Sequence, residues 1–136
     1  MAAEGTTVVA KAKAVIGEAR YATNIVAGHH VLIADEPAIV GGRDAGPVPF
    51  ALLLSGLGAC TAITLKMYAE RKEWPVEAVE VDLRYLKTSD QARIERVLSL
   101  KGPLTEEQRA RLADIAERTP VTLAIKGGVA IHTELR

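Results

Sequence analysis

The run "PFALLLSGLGACTAITLKMYAERKEWP", residues 49–75, leaves the rest of the chain the fewest options. No charged residue occurs from Ala45 to Leu65. Pro47 and Pro49 keep a helix from starting before about Pro49, and Pro49 itself suits a first helical turn. The spacing predicts a helix over 49–73, stopped by Trp74 and Pro75. Its second half is amphipathic, but its first half is apolar on nearly every face and has to be covered on all sides. A membrane is the first candidate cover. The uncharged helical part, Phe50 to Leu65, would reach only about 24 Å at ~1.5 Å per residue, short of the ~30 Å of bilayer hydrocarbon. Gly56 and Gly58 suit close packing against protein. The expectation is a buried helix with no membrane partner. Two small sheets of a 136-residue chain would struggle to enclose it, so a homodimer is expected to complete the cover.

Around this helix the pattern alternates between strands and helices. Residues 6–16 read as a half-exposed strand, with Val8, Ala10, Ala12, Ala14 and Ile16 opposite Lys11 and Lys13. "RYATNIVAG" and "HHVLIAD" follow as second and third strands, giving an antiparallel meander over residues 1–35. "DEPAIVGGRDAGPVP" has the Gly and Pro density of an ordered loop. After the helix, 77–87 alternate strictly and pair back with "ARIERVLSLKG" as a hairpin. Thr105 and Gln108 form a capping-box pattern opening a helix to about Arg118, with Leu112, Ile115 and Ala116 inward. Thr119 and Pro120 start a further short helix, and "VAIHTEL" reads as a closing strand. The order βββ-α-ββ-αα-β is α+β, in a single domain over 1–136 whose second half spans 77–136.

Charge narrows the partners. Lys plus Arg number 17, and Asp plus Glu also number 17, so there is no basic excess of the kind nucleic acid requires. The N-terminal residues lack the continuous apolar core of a signal peptide. The single cysteine, Cys60, excludes an intrachain disulfide. Together these favour a reducing, cytoplasmic setting.

Cys60 is also the first candidate for chemistry. A free cysteine is commonly a small buried hydrophobe, and "SGLGAC" then marks a helix contact. A reactive thiolate needs a cation or strong hydrogen-bond donors instead, and a mid-helix site gains little from the helix dipole. Its activating group would come from elsewhere in the fold. His29 and His30 are neighbours that would point to opposite faces of a strand, and His132 lies on the polar side of the last one. No metal-binding spacing occurs, and the glycine groups form neither a dinucleotide fingerprint nor a phosphate loop, so no cofactor is expected.

The stretch "DEPAIVGGRDAGPVPFALLLSGLGACTAITLKMYAERKEWPVEAVEVDLRY", with the later "GPLTEEQRARLADIAERTPV", resembles the osmotically inducible protein C family, OsmC/Ohr. The resemblance extends over nearly the whole chain. It implies two small antiparallel sheets around central helices in an intertwined homodimer. It also implies reduction of organic hydroperoxides by a peroxidatic cysteine, which Cys60 matches. A second cysteine in a C-P-V motif resolves the oxidised sulfur in such proteins, and an arginine held by a glutamate activates the first. Here Thr119 stands at the resolving position, and Phe50 and Ala51 stand where the glutamate is expected. Arg20 is the candidate for the activating arginine, with Arg43 as the alternative. Two readings follow. Cys60 reduces hydroperoxides and an external thiol or dithiol regenerates it, or the chain is a non-catalytic member that binds a small hydrophobic ligand.

Overall fold

The computed structural model describes residues 5–136, so residues 1–4 of the expected meander lie outside the described residues. Three strands form first: β1 (Ala12–Ile16), β2 (Thr23–Ala27) and β3 (His30–Ala34). A long helix, α1 (Pro49–Arg71), is followed by β4 (Ala78–Lys87) and β5 (Ala92–Lys101). Two helices, α2 (Glu106–Ala116) and α3 (Pro120–Gly127), complete the order. The architecture is α+β with one three-stranded and one two-stranded antiparallel sheet. The chain divides into two compact units, one ending at Leu52 and the other beginning at Leu53.

In the first unit β2 pairs with β1 and β3, with Ala14 opposite Ile25 and Ile25 opposite Leu32. The strand expected from residue 6 begins only at Ala12. Its partner β2 ends at Ala27, where the Gly28 N–H bonds the Lys11 carbonyl, so residues 6–10 have no strand opposite them. His29 falls in the β2–β3 turn rather than in a strand, and its ring lies 4.0 Å from that of His30, contrary to the opposed orientation expected of strand neighbours.

The Gly- and Pro-rich loop is organised by one carboxylate. Asp35, almost wholly buried, accepts N–H groups from Glu36 at 2.7 Å, Arg43 at 3.2 Å and Ala45 at 3.1 Å. The Glu36 and Ala45 hydrogen bonds hold its pKa below the ordinary value of 3.8, against the opposing effect of burial. Gly42 is required here because a Cβ at that position would collide with the Glu36 carbonyl.

In the second unit the core is Leu65, Ala69, Val76, Leu112 and Ala116, with Tyr68, Trp74, Val79, Leu98, Leu100, Leu104 and Ile115 packed around it. The inward residues of α2 are those its periodicity predicts. Both expected caps form. Thr105 and Gln108 make the reciprocal capping box on α2, and the Thr119 hydroxyl accepts the Thr122 N–H at the start of α3. β4 and β5 pair over their full ten residues. Gly58 lets this sheet approach α1, since a Cβ there would lie 2.8 Å from Leu83 Cδ1.

One further expectation needs correction. Residues 128–136 form no strand, although Val129, Ile131 and Leu135 alternate as one would. Alternation sets which way side chains face, but a strand also needs a paired neighbour, and none in the described residues lies along this segment. α1 is only partly covered by its own chain, as expected of a helix that two small sheets cannot enclose. Its buried residues, Leu57, Thr61, Leu65 and Ala69, form one stripe at spacing four, while Ile63 and Met67 on the opposite face are 57% and 56% exposed. By length and composition α1 would suffice to cross a membrane, but its packed stripe and the charges Lys66, Glu70 and Arg71 mark a protein-packed helix.

Candidate active site

The expected site residues fall into two groups. Arg20 and Arg43 belong to the first unit, where both line a cavity of about 160 Å³ with Tyr21, Asp35, Gly41 and Gly42. The Arg20 guanidinium lies over the Tyr21 ring, 5.3 Å from its centroid. Phe50 sits exposed in the first turn of α1. Cys60 and Thr119 belong to the second unit, and there the structure does bring the two segments together.

Cys60 occupies the middle of α1 and is half-buried. The backbone N–H of Val121 donates to its Sγ at 3.5 Å, and the Thr64 hydroxyl lies 4.0 Å from the sulfur. Val121 stands in the first turn of α3, where N–H groups have no partner within the helix. Thr119 caps that turn and is fully buried, its hydroxyl 2.6 Å from that of Thr122. Position 119 thus carries a hydroxyl that caps a helix. The donor that faces the sulfur comes from the start of α3, outside the helix that carries the cysteine, and it would stabilise negative charge developing there.

Arg96 from β5, with its side chain only 11% exposed, joins these elements. Its Nη1 donates to the Thr61 hydroxyl at 3.0 Å and the Thr122 hydroxyl at 2.9 Å. Its Nη2 donates to the Ala116 carbonyl at 2.9 Å and to Glu117 Oε2 at 3.3 Å. Thr61 in turn donates to the Leu57 carbonyl at 2.7 Å. The hydrogen bond from Lys126, with the Lys126 and Arg96 charges, lowers the Glu117 pKa from its ordinary value, against the opposing effect of burial. Sequence reasoning missed Arg96, although one signal was present. In the period-two pattern of β5 it shares a face with Ile94, Leu98 and Leu100, an unusual position for a charge unless it has partners.

Beside this network a cavity of about 500 Å³ opens between Leu57, Tyr85, Ile94, Thr122, Ile125 and the charged groups of Arg93, Arg96, Glu117 and Lys126. Its walls offer apolar surface for an organic group together with charged groups, and Cys60 is not among the residues that line it.

The comparisons bear on the fold and the family. Residues 41–134, more than half the chain, match the family model described as OsmC-like protein. No curated protein sequence matches the chain. Among solved structures, the OsmC-like protein of Mycoplasma pneumoniae superimposes with a TM-score of 0.76 at 20% identity, covering 90% of each chain. The organic hydroperoxide resistance protein OsmC of Legionella pneumophila gives a TM-score of 0.65 at 21% identity, covering 90% of this chain and 92% of that one. The organic hydroperoxide resistance protein OhrB of Bacillus subtilis gives 0.61 at 23% identity, covering 88% and 92%. With two small antiparallel sheets, a long cysteine-bearing helix and a family match over most of its length, the chain belongs to the OsmC-like family.

Proposed function

We propose that the protein reduces organic hydroperoxides through Cys60, with an external thiol or dithiol completing the cycle. The observation that carries this reading is the Val121 N–H aimed at Cys60 Sγ from the first turn of α3. The thiolate attacks the terminal oxygen of ROOH, the O–O bond breaks, and the departing alkoxide takes a proton to become ROH. Sulfur is oxidised to sulfenic acid and the peroxide is reduced. An external thiol then condenses with the sulfenic acid, releasing water and leaving a mixed disulfide, which a second thiol cleaves to restore Cys60. No second cysteine exists in the chain to do this internally. The need to keep one thiol reduced fits a cytoplasmic location. Arg20, with Arg43 as the alternative, keeps its proposed role as the activating arginine.

The non-catalytic reading draws on the 500 Å³ cavity, which suits a small, largely apolar ligand whether or not the thiol reacts. Turnover separates the two. With dithiothreitol as reductant and tert-butyl hydroperoxide as oxidant, the wild type is expected to consume peroxide catalytically. Cys60→Ser is expected to lose at least about a hundredfold, the scale of removing an essential nucleophile. Equal rates for the two proteins would leave only the binding reading.

The functional unit is proposed to be a homodimer. Ile63 and Met67 on α1 and Ile131 and Leu135 in the C-terminal segment, the last two 87% and 96% exposed, are large apolar side chains that a second copy would cover. Light scattering at micromolar concentration is expected to give twice the 14.5 kDa chain mass. A monomer that melts cooperatively under those conditions would contradict the dimer.

A further inference from the structure

Resting on the thiol chemistry proposed above, we infer that Arg96 is a positioning residue that fixes the first turn of α3 against Cys60. Three helical segments meet on its guanidinium. Thr61 is the residue after Cys60 on α1, Ala116 ends α2, and Thr122 is the residue after Val121 on α3. Both hydroxyls have a lone pair to spare for Nη1, since Thr61 donates to the Leu57 carbonyl and Thr122 to the Ala116 carbonyl. The Ala116 carbonyl is one of the acceptors that α2 leaves without a helical partner, and Nη2 satisfies it.

The geometry suits arginine and no other side chain. A planar fork with fixed donor directions can bridge three backbone segments at once, whereas a lysine ammonium is a point charge on a flexible stem. Glu117 contributes the longest of the four contacts and is largely exposed, so the ion pair is the least of what Arg96 does. The consequence lies one residue away on either side. By tying Thr61 to Thr122, Arg96 sets the separation between Cys60 and Val121, whose N–H reaches the sulfur at 3.5 Å. A displacement of about 1 Å at a reacting centre can cost on the order of a hundredfold in rate.

The test reads amide hydrogen exchange by NMR on the full chain, alongside single-turnover oxidation of Cys60 by tert-butyl hydroperoxide. In Arg96→Met the Val121 amide is expected to exchange about tenfold faster than in wild type, a local opening. The Leu123 amide, which bonds the Thr119 carbonyl within α3 at 2.9 Å, should keep its protection. Oxidation of Cys60 should slow by roughly a hundredfold. Arg96→Lys should not restore Val121 protection. Should Arg96→Met fail to fold, the Thr122→Val and Thr122→Ser pair decides: Val should lose Val121 protection selectively and Ser should regain it. Faster exchange at Val121 and Leu123 together would mean general loosening and would overturn the inference. So would an unchanged Val121 amide, or its selective loss with no slowing of Cys60 oxidation in a wild type that reacts. If the wild type does not react with the hydroperoxide at all, the proposed function fails, while the exchange data still decide whether Arg96 holds α3 in place.

Discussion

Thr119→Cys is expected to gain a disulfide to Cys60 on treatment with hydroperoxide, and to stop most of the overoxidation expected of the lone thiol. In the wild type a sulfenic acid would have no thiol of its own chain to react with, so excess peroxide is expected to carry it to sulfinic acid. Thr119 is buried, two residues before the amide that contacts Cys60 Sγ, so a thiol there competes directly with a second peroxide. Bridging requires Cα atoms within about 7 Å. A bridge from 60 to 119 closes a loop of roughly 60 residues, for which chain entropy gives an upper stabilisation of about 4 kcal/mol. The reduced variant should be slightly less stable than wild type, by about 1 kcal/mol, because the hydroxyl cap on Thr122 is lost. Oxidised and reduced forms should therefore differ clearly in urea midpoint, with intact-mass analysis showing loss of two hydrogens rather than gain of two oxygens. Sulfinic acid accumulating in Thr119→Cys as fast as in wild type would mean that position 119 does not reach the oxidised sulfur.

Leu112→Ala is expected to have the largest effect on stability. Leu112 is fully buried on α2 in the same core as Leu65, Ala69 and Val76. Removing a leucine side chain from such a site costs about 2–5 kcal/mol, combining lost burial with the cavity left behind. Against a total of roughly 5–15 kcal/mol this is a large fraction. Leu112→Met, which conserves volume, should cost less than about 1.5 kcal/mol. Both should be compared by urea unfolding at one protein concentration, because association with a second copy adds to apparent stability. A Leu112→Ala loss below 1 kcal/mol, on the scale of surface substitutions, would show that the core is centred elsewhere.

What could be read from the sequence follows the range of the forces involved. The start of α1 was legible because Pro47 and Pro49 act within a residue or two of themselves. The caps at Thr105 and Thr119 were legible for the same reason, each needing only its own next turn. The β4–β5 hairpin was legible because Val79, Val81, Leu83 and Tyr85 alternate over a length that leaves one register. Non-local partners were not legible. Val129, Ile131 and Leu135 have the pattern of a strand, but a pattern names no partner, and no strand forms there within the chain. Residues 6–10 failed likewise, because the length of β2 limits what β1 can pair with. Arg20 was chosen from the resemblance, and it lies with Arg43 around the Asp35 loop. Arg96 joins residues 20 to 35 positions away in sequence, and its only local sign was a charge on the apolar face of β5. The fold was therefore mostly readable, and the long-range partners of Arg96 were not.

On the proposed function, Cys60 is oxidised by the peroxide. Trapping is the most direct test: the reduced protein is mixed with one equivalent of tert-butyl hydroperoxide in the presence of dimedone, without added thiol, and digested for mass spectrometry. One peroxide is expected to be consumed per chain, with a dimedone adduct on the Cys60 peptide. Without dimedone, excess peroxide should give sulfinic acid at the same residue. Recovery of Cys60 as an unmodified thiol after prolonged exposure, with the peroxide still present, would contradict it.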